Sequence, residues 1–110
     1  MTSEALIQQQ IVVFFRNKYC LKHHVPRCSI FSVPNEAKFD YNQKIKLQTG
    51  LLSGVSDLII LQPNKCIFIE VKTSTGKQSD KQKDFEQMVK DLGFEYFVVR
   101  SLEDFKSLLK

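Results

Sequence analysis

The stretch from Asp57 to Lys72 constrains this chain more than any other. Asp57-Leu-Ile-Ile-Leu-Gln62 and Cys66-Ile-Phe-Ile-Glu-Val-Lys72 are apolar runs of strand length. Pro63-Asn64 lies between them, and proline presets the first central position of a tight turn. The two runs therefore read as a β-hairpin. A symmetric hairpin turning at Pro63-Asn64 pairs residues whose numbers sum to 127. Asp57 then lies opposite Glu70, and the two-residue period of a strand puts Lys72 on the same face, diagonal to Asp57.

That register brings two carboxylates close together. Opposed side chains on paired strands have Cβ atoms about 5 Å apart. Two carboxylates at that distance repel, and burying them in an apolar hairpin is costly. One reading is a solvated hairpin face on which Glu70 and Lys72 are decoration and Asp57 caps a strand. The other is a bound divalent cation, since hard cations take carboxylate oxygens. Phosphodiester hydrolysis needs such equipment: a cation polarises the phosphoryl oxygen and activates water. A nearby ammonium, here Lys72, positions that water or stabilises charge on the phosphorane.

The rest of the chain supplies a frame. Ser3 caps a first helix over residues 4–22 with an apolar stripe of Ile7, Ile11, Phe14 and Phe15. A polar loop runs from His23 to Cys28, and Ser29 to Val33 alternates as a short strand that Pro34-Asn35 breaks. A further helix is expected over residues 39–49, ended by Gly50. Ser79-Asp-Lys-Gln82 is a capping box opening a helix whose stripe is Phe85, Met88, Val89 and Leu92, with Gly93 as its stop. Tyr96 to Val99 reads as a final strand, and Ser101 caps a last helix carrying Leu102, Phe105, Leu108 and Leu109. The expected architecture is α/β, a small mixed sheet flanked by helices in the order α-β-(α)-β-β-α-β-α.

Composition narrows the class. With 110 residues the chain is expected to form a single domain, 1–110, and 43% hydrophobic residues suffice for one core. No apolar run is long enough for a membrane span, and the N-terminus lacks a basic-then-apolar leader. We therefore expect a soluble protein of the cytoplasm, or of the host-cell cytoplasm if viral. An odd count of cysteines, three, disfavours a disulfide framework. The net charge of +4 is compatible with a polyanionic partner. Lys77, Lys81 and Lys83 cluster where the capped helix begins, and they fit DNA phosphates or a solvated helix face equally. Cys20, His23, His24 and Cys28 have compact spacing for zinc, but there is no second knuckle, and ordinary thiols in a loop are the stronger expectation.

Taken in order, Glu4, Pro34-Asn35-Glu36, Gly54-Val-Ser-Asp57, Glu70-Val-Lys72, Gln82 and Tyr96-Phe-Val-Val before Ser101 resemble the VRR-NUC (virus-type replication-repair nuclease) branch of the PD-(D/E)xK nuclease superfamily. The resemblance spans nearly the whole chain. It implies a restriction-endonuclease-like fold and Mg²⁺ or Mn²⁺ as cofactor. It also implies Asp57, Glu70 and the Val71 carbonyl as metal ligands and Lys72 as the catalytic lysine. Glu4 resembles the family's N-terminal acidic residue, which holds metal-bound water or a second metal, and Gln82 resembles its active-site glutamine. Ser56 stands where the superfamily name expects proline, a position that supplies no ligand. Standalone domains of this kind resemble junction-resolving homodimers acting on branched DNA such as Holliday junctions. Glu4 also falls in register with Ile7 and Ile11, although a first-turn acidic residue serves the helix dipole equally. Gln82 has the capping box as an alternative employment. The competing functional readings are a catalytically silent nuclease-fold DNA-binding module and a replisome accessory domain.

Overall fold

The computed structural model describes residues 3–34, 50 and 52–109. The helix expected over residues 39–49, and Asn35 and Glu36, lie outside them. The elements are α1 (Glu4–Tyr19), β1 (Ser29–Ser32), β2 (Leu58–Gln62), β3 (Lys65–Val71), α2 (Asp80–Asp91), β4 (Glu95–Val99) and α3 (Leu102–Ser107). The strands form a mixed sheet in the order β1-β2-β3-β4, with β1, β2 and β3 antiparallel and β4 parallel to β3. Among the described residues three helices flank it, giving the expected mixed α/β class.

The central hairpin has the register that its turn dictates. Leu58 pairs with Ile69, Ile59 with Phe68 and Ile60 with Ile67. Asn64 takes the positive-φ position of the turn at 55°, a conformation that asparagine tolerates better than most residues. Strand alternation then sorts the side chains. Leu58, Ile60, Ile67, Ile69 and Val71 point to one face, where Ile7, Ile11 and Phe15 of α1 and Phe105 of α3 complete the main core. Phe68 points to the other face and packs with Phe85 and Val89 of α2 and Tyr96 of β4. Glu70 and Lys72 follow Phe68 at two-residue steps, so they lie on the α2 side.

Several boundaries differ from expectation for physical reasons. α1 stops at Tyr19 instead of residue 22, because the Cys20 N–H closes the last helical bond to Arg16 O and the chain then turns over Leu21–His24, where His24 Nδ1 accepts from Leu21 N–H. β2 begins at Leu58 and not Asp57. The Val71 N–H that would continue the ladder is taken by the Asp57 side chain, Oδ2 at 2.7 Å, while Asp57 O accepts from Val33 N–H across β1. Asp57 is thus held by main-chain bonds on both sides.

The start of α2 is seated against the loop that leads to Asp57. Gly54 has φ +82°, and a Cβ there would stand 2.3 Å from Lys81 O and 3.0 Å from Gln82 N. Only a residue without Cβ permits this approach. Gly54→Ala should therefore lose about 2–4 kcal/mol of unfolding free energy, from left-handed strain plus overpacking. Urea denaturation measures it, and a loss below about 0.5 kcal/mol would refute the contact.

Candidate active site

Asp57, Glu70, Lys72 and Gln82 converge at one end of the hairpin. Each is placed by a different element. Asp57 precedes β2, fixed as above. Glu70 is the penultimate residue of β3 and is 1% exposed; Lys72 directly follows β3 and is 9% exposed. The Lys72 main chain is held by its N–H donating to Val99 O. Gln82 arrives from the first turn of α2, on the face that α2 turns to the sheet.

Gln82 does two jobs at once. Its Oε1 accepts from Ser79 N–H at 2.9 Å while Ser79 Oγ accepts from Gln82 N–H at 3.2 Å, the complete capping box. Its Nε2 donates to Glu70 Oε2 at 2.8 Å. In the sequence, capping and an active-site role stand as alternatives for Gln82; here the cap and the contact with Glu70 coexist because the amide has two ends. The cap also fixes which end faces Glu70. A flipped amide would set two donors against each other at Ser79 and two acceptors at Glu70.

Glu70 is the electrostatic centre. Lys72 Nζ lies 3.5 Å from the same Oε2 that Gln82 binds. The second oxygen, Oε1, is buried and has no hydrogen-bond partner among the described residues. Burial, and after it the negative charge of Asp57, push the Glu70 carboxyl up to about 7 against the pull of Lys72. Tyr96, buried beneath on β4, has its phenol pushed up by burial and then by the Glu70 charge. Its hydroxyl accepts from Gln78 Nε2 at 3.3 Å.

A site of this composition fits a hard divalent cation. An orphaned buried carboxylate oxygen beside a second carboxylate is the donor set that such ions take, and a bound cation removes both the repulsion and the missing partner. Ser56, in place of proline, is fully buried with its hydroxyl donating to Leu58 O at 3.3 Å, so its polarity is satisfied without entering the site.

Other residues singled out in the sequence stand apart. The buried stripe of α1 begins at Ile7, and Glu4, one turn earlier, is exposed. α1 covers the sheet face opposite Glu70 and Lys72. Among the described residues no three His, Cys, Asp or Glu side chains gather, so Glu4 does not join Asp57 and Glu70 in a cluster. Lys77, Lys81 and Lys83 are exposed around the start of α2. Cys20 and Cys28 are partly buried free thiols, and His23 stacks on His24 with centroids 4.3 Å apart. Two contributions carried no sequence signal: Gly76, which packs on the Lys72 stem, and Arg100, which bonds the loop after Lys72.

The raised Glu70 carboxyl sets a sign for stability. A carboxyl with its folded value near 7 and its unfolded value near 4.5 stays protonated in the folded state while the unfolded chain ionises. Stability from this group is full below about pH 4.5 and is lost as pH rises through 7. In EDTA, wild type should lose up to about 3 kcal/mol relative to Glu70→Gln between pH 4 and pH 8. Parallel pH-stability curves for the two proteins would contradict this.

The comparisons with known proteins agree with the geometry. The sequence model of the VRR-NUC domain matches residues 4–103. A solved structure described as a VRR_NUC domain protein superposes with a TM-score of 0.76 at 17% identity, covering 99% of this chain and 86% of that one. A second, described as a VRR_NUC domain, gives 0.67 at 20% identity, with coverages of 99% and 96%. No curated protein matches the chain in sequence. At these identities the solved structures establish the fold, and the family model, spanning nearly the whole chain, establishes that it belongs to the VRR-NUC family of nuclease domains.

Proposed function

We propose that this chain is a metal-dependent, structure-specific DNA endonuclease acting on branched DNA such as four-way junctions, in replication, recombination or repair. The family implies a nuclease-type function and typically uses divalent metals. The observation that carries the metal-dependent reading is Glu70 Oε1, buried beside Asp57 and without a hydrogen-bond partner among the described residues.

Asp57, Glu70 and the Val71 carbonyl would hold Mg²⁺ or Mn²⁺, with Glu4 as an outer acidic residue. When bound, the ion supplies charge to a phosphoryl oxygen and acidity to water. The protein's own residues do the positioning. Val71 N–H fixes Asp57 Oδ2, and Gln82 and Lys72 share Glu70 Oε2. That division leaves Glu70 Oε1 for the ion. Lys72 Nζ is then placed to orient the attacking water and to meet the charge that grows on phosphorus. Hydrolysis forms a bond from the water oxygen to phosphorus. The bridging oxygen leaves with its bonding pair, and a proton ends on it. The exposed Lys77, Lys81 and Lys83 beside α2 would neutralise DNA phosphates. A homodimer would present two such sites to the two strands of a junction, which one domain of this size does not span.

Purified protein should cut four-way junction or flap DNA in Mg²⁺ or Mn²⁺ and stop in EDTA. Asp57→Ala and Lys72→Ala should each reduce cleavage by roughly 100-fold or more. Equal cutting by wild type and Asp57→Ala defeats the proposal. Junction binding that persists without metal and without cleavage identifies a silent nuclease-fold DNA-binding or replisome accessory module instead. Light scattering at assay concentration should give twice the chain mass; a monomeric mass contradicts the dimer.

A further inference from the structure

Arg100 immediately follows β4 and is solvent-exposed, yet its guanidinium is committed to main chain. Nη1 donates to Thr73 O at 2.6 Å and to Gly76 O at 2.7 Å, across 27 and 24 residues of sequence. Thr73 O also accepts from Gly76 N–H at 3.2 Å. The two carbonyls are therefore the ends of one tight turn, over residues 73–76, and Arg100 binds both ends with one nitrogen.

This turn is the first piece of chain after Lys72. It backs onto the lysine: a Cβ at Gly76 would lie 3.5 Å from Lys72 Cδ and 3.2 Å from Thr73 Oγ1. From the turn the chain runs through Gln78 to Ser79, the N-cap of α2, and so to Gln82. The same short segment thus leaves one site residue and delivers another. The segment's other ties lie on either side of the turn: Lys72 N–H to Val99 O before it, and after it Gln78 Nε2 to Glu86 Oε1 and to Tyr96 Oη and the seat of α2 on Gly54.

Arg100 is itself fixed. Its N–H donates to Asp104 Oδ2 at 3.0 Å, and Asp104 N–H donates to Ser101 Oγ at 3.1 Å. This reciprocal cap at the start of α3 ties the root of the Arg100 side chain to the end of β4. A side chain as long as arginine loses considerable rotamer freedom in such an arrangement, and two charge-assisted hydrogen bonds to carbonyls act against that loss.

We propose that Arg100 is a positioning residue of the nuclease site: it clamps the 73–76 turn so that the Lys72 ammonium and the Gln82 amide meet Glu70 Oε2. The inference rests on the proposed nuclease reading for its catalytic consequence, but the clamp itself is testable without activity. Three proteins decide it: wild type, Arg100→Ala and Arg100→Lys, the last keeping a cation that reaches carbonyls.

Hydrogen exchange at Gly76 and through residues 73–79 should rise at least tenfold in Arg100→Ala while the amides of β2 and β3 stay as protected as in wild type. The downfield Gln82 side-chain amide proton, reporting its bond to Glu70, should move toward the free-amide position. In cleavage assays at saturating branched DNA, Arg100→Ala should be slowed tenfold or more, with Arg100→Lys recovering most of the rate. DNA affinity, measured in Ca²⁺, should change less than threefold.

Unchanged exchange and an unchanged Gln82 signal overturn the clamp. A loss confined to DNA affinity, with cleavage at saturation intact, makes Arg100 a phosphate contact and overturns the positioning role. If wild type proves inactive, the nuclease reading has failed, and the exchange and amide measurements still decide the clamp alone.

Discussion

The contact on which the site depends is the one between Gln82 and Glu70. A carboxyl that is 1% exposed has no water to rely on. Gln82 Nε2 satisfies one oxygen at 2.8 Å, and Lys72 reaches the same atom. The other oxygen has no hydrogen-bond partner among the described residues. An arrangement that completes one half of a carboxylate and leaves the other half buried and bare is unstable as a resting charge. Burial, and after it the charge of Asp57, raises the carboxyl to about 7. A bound cation would supply the missing partner.

What keeps that asymmetry in place is mostly main chain. Asp57 is caught between Val71 N–H and the bond from Val33 N–H. The Gln82 amide is oriented by Ser79 N–H, and α2 is seated by the close approach of Gly54 to Lys81. The sheet sets the level of Glu70 and Lys72 through the register of β3 with β2 and β4. The apolar core on the α1 side and the aromatic cluster under α2 make the frame stiff enough for such placement to matter.

Much of this was legible in the sequence because short-range rules governed it. Pro63-Asn64 set the hairpin register, and the register put Asp57, Glu70 and Lys72 together. Ser79 and Gln82 announced the start of α2. What the sequence does not show depends on longer-range contacts. Glu4 continues the stripe of Ile7 and Ile11 by spacing, but it lies a turn beyond the last residue that the sheet covers. The end of α1 was set too late because its stop depends on the Cys20 cap and the turn that follows, not on periodicity. Arg100 looks like an ordinary surface cation until the turn over 73–76 is folded against it. That Gln82 caps a helix and binds Glu70 together follows only from the distance between α2 and β3.

The central claim is that Glu70 holds a proton in metal-free protein and gives it up when a divalent cation binds. Calorimetric titration with Mn²⁺ at pH 6, in two buffers of different ionisation enthalpy, reads this directly. The account predicts release of about one proton per Mn²⁺ bound at pH 6, falling toward none at pH 8. It also predicts no such release in Glu70→Gln. Absence of Mn²⁺ binding, or proton release that is the same in wild type and Glu70→Gln, would contradict it.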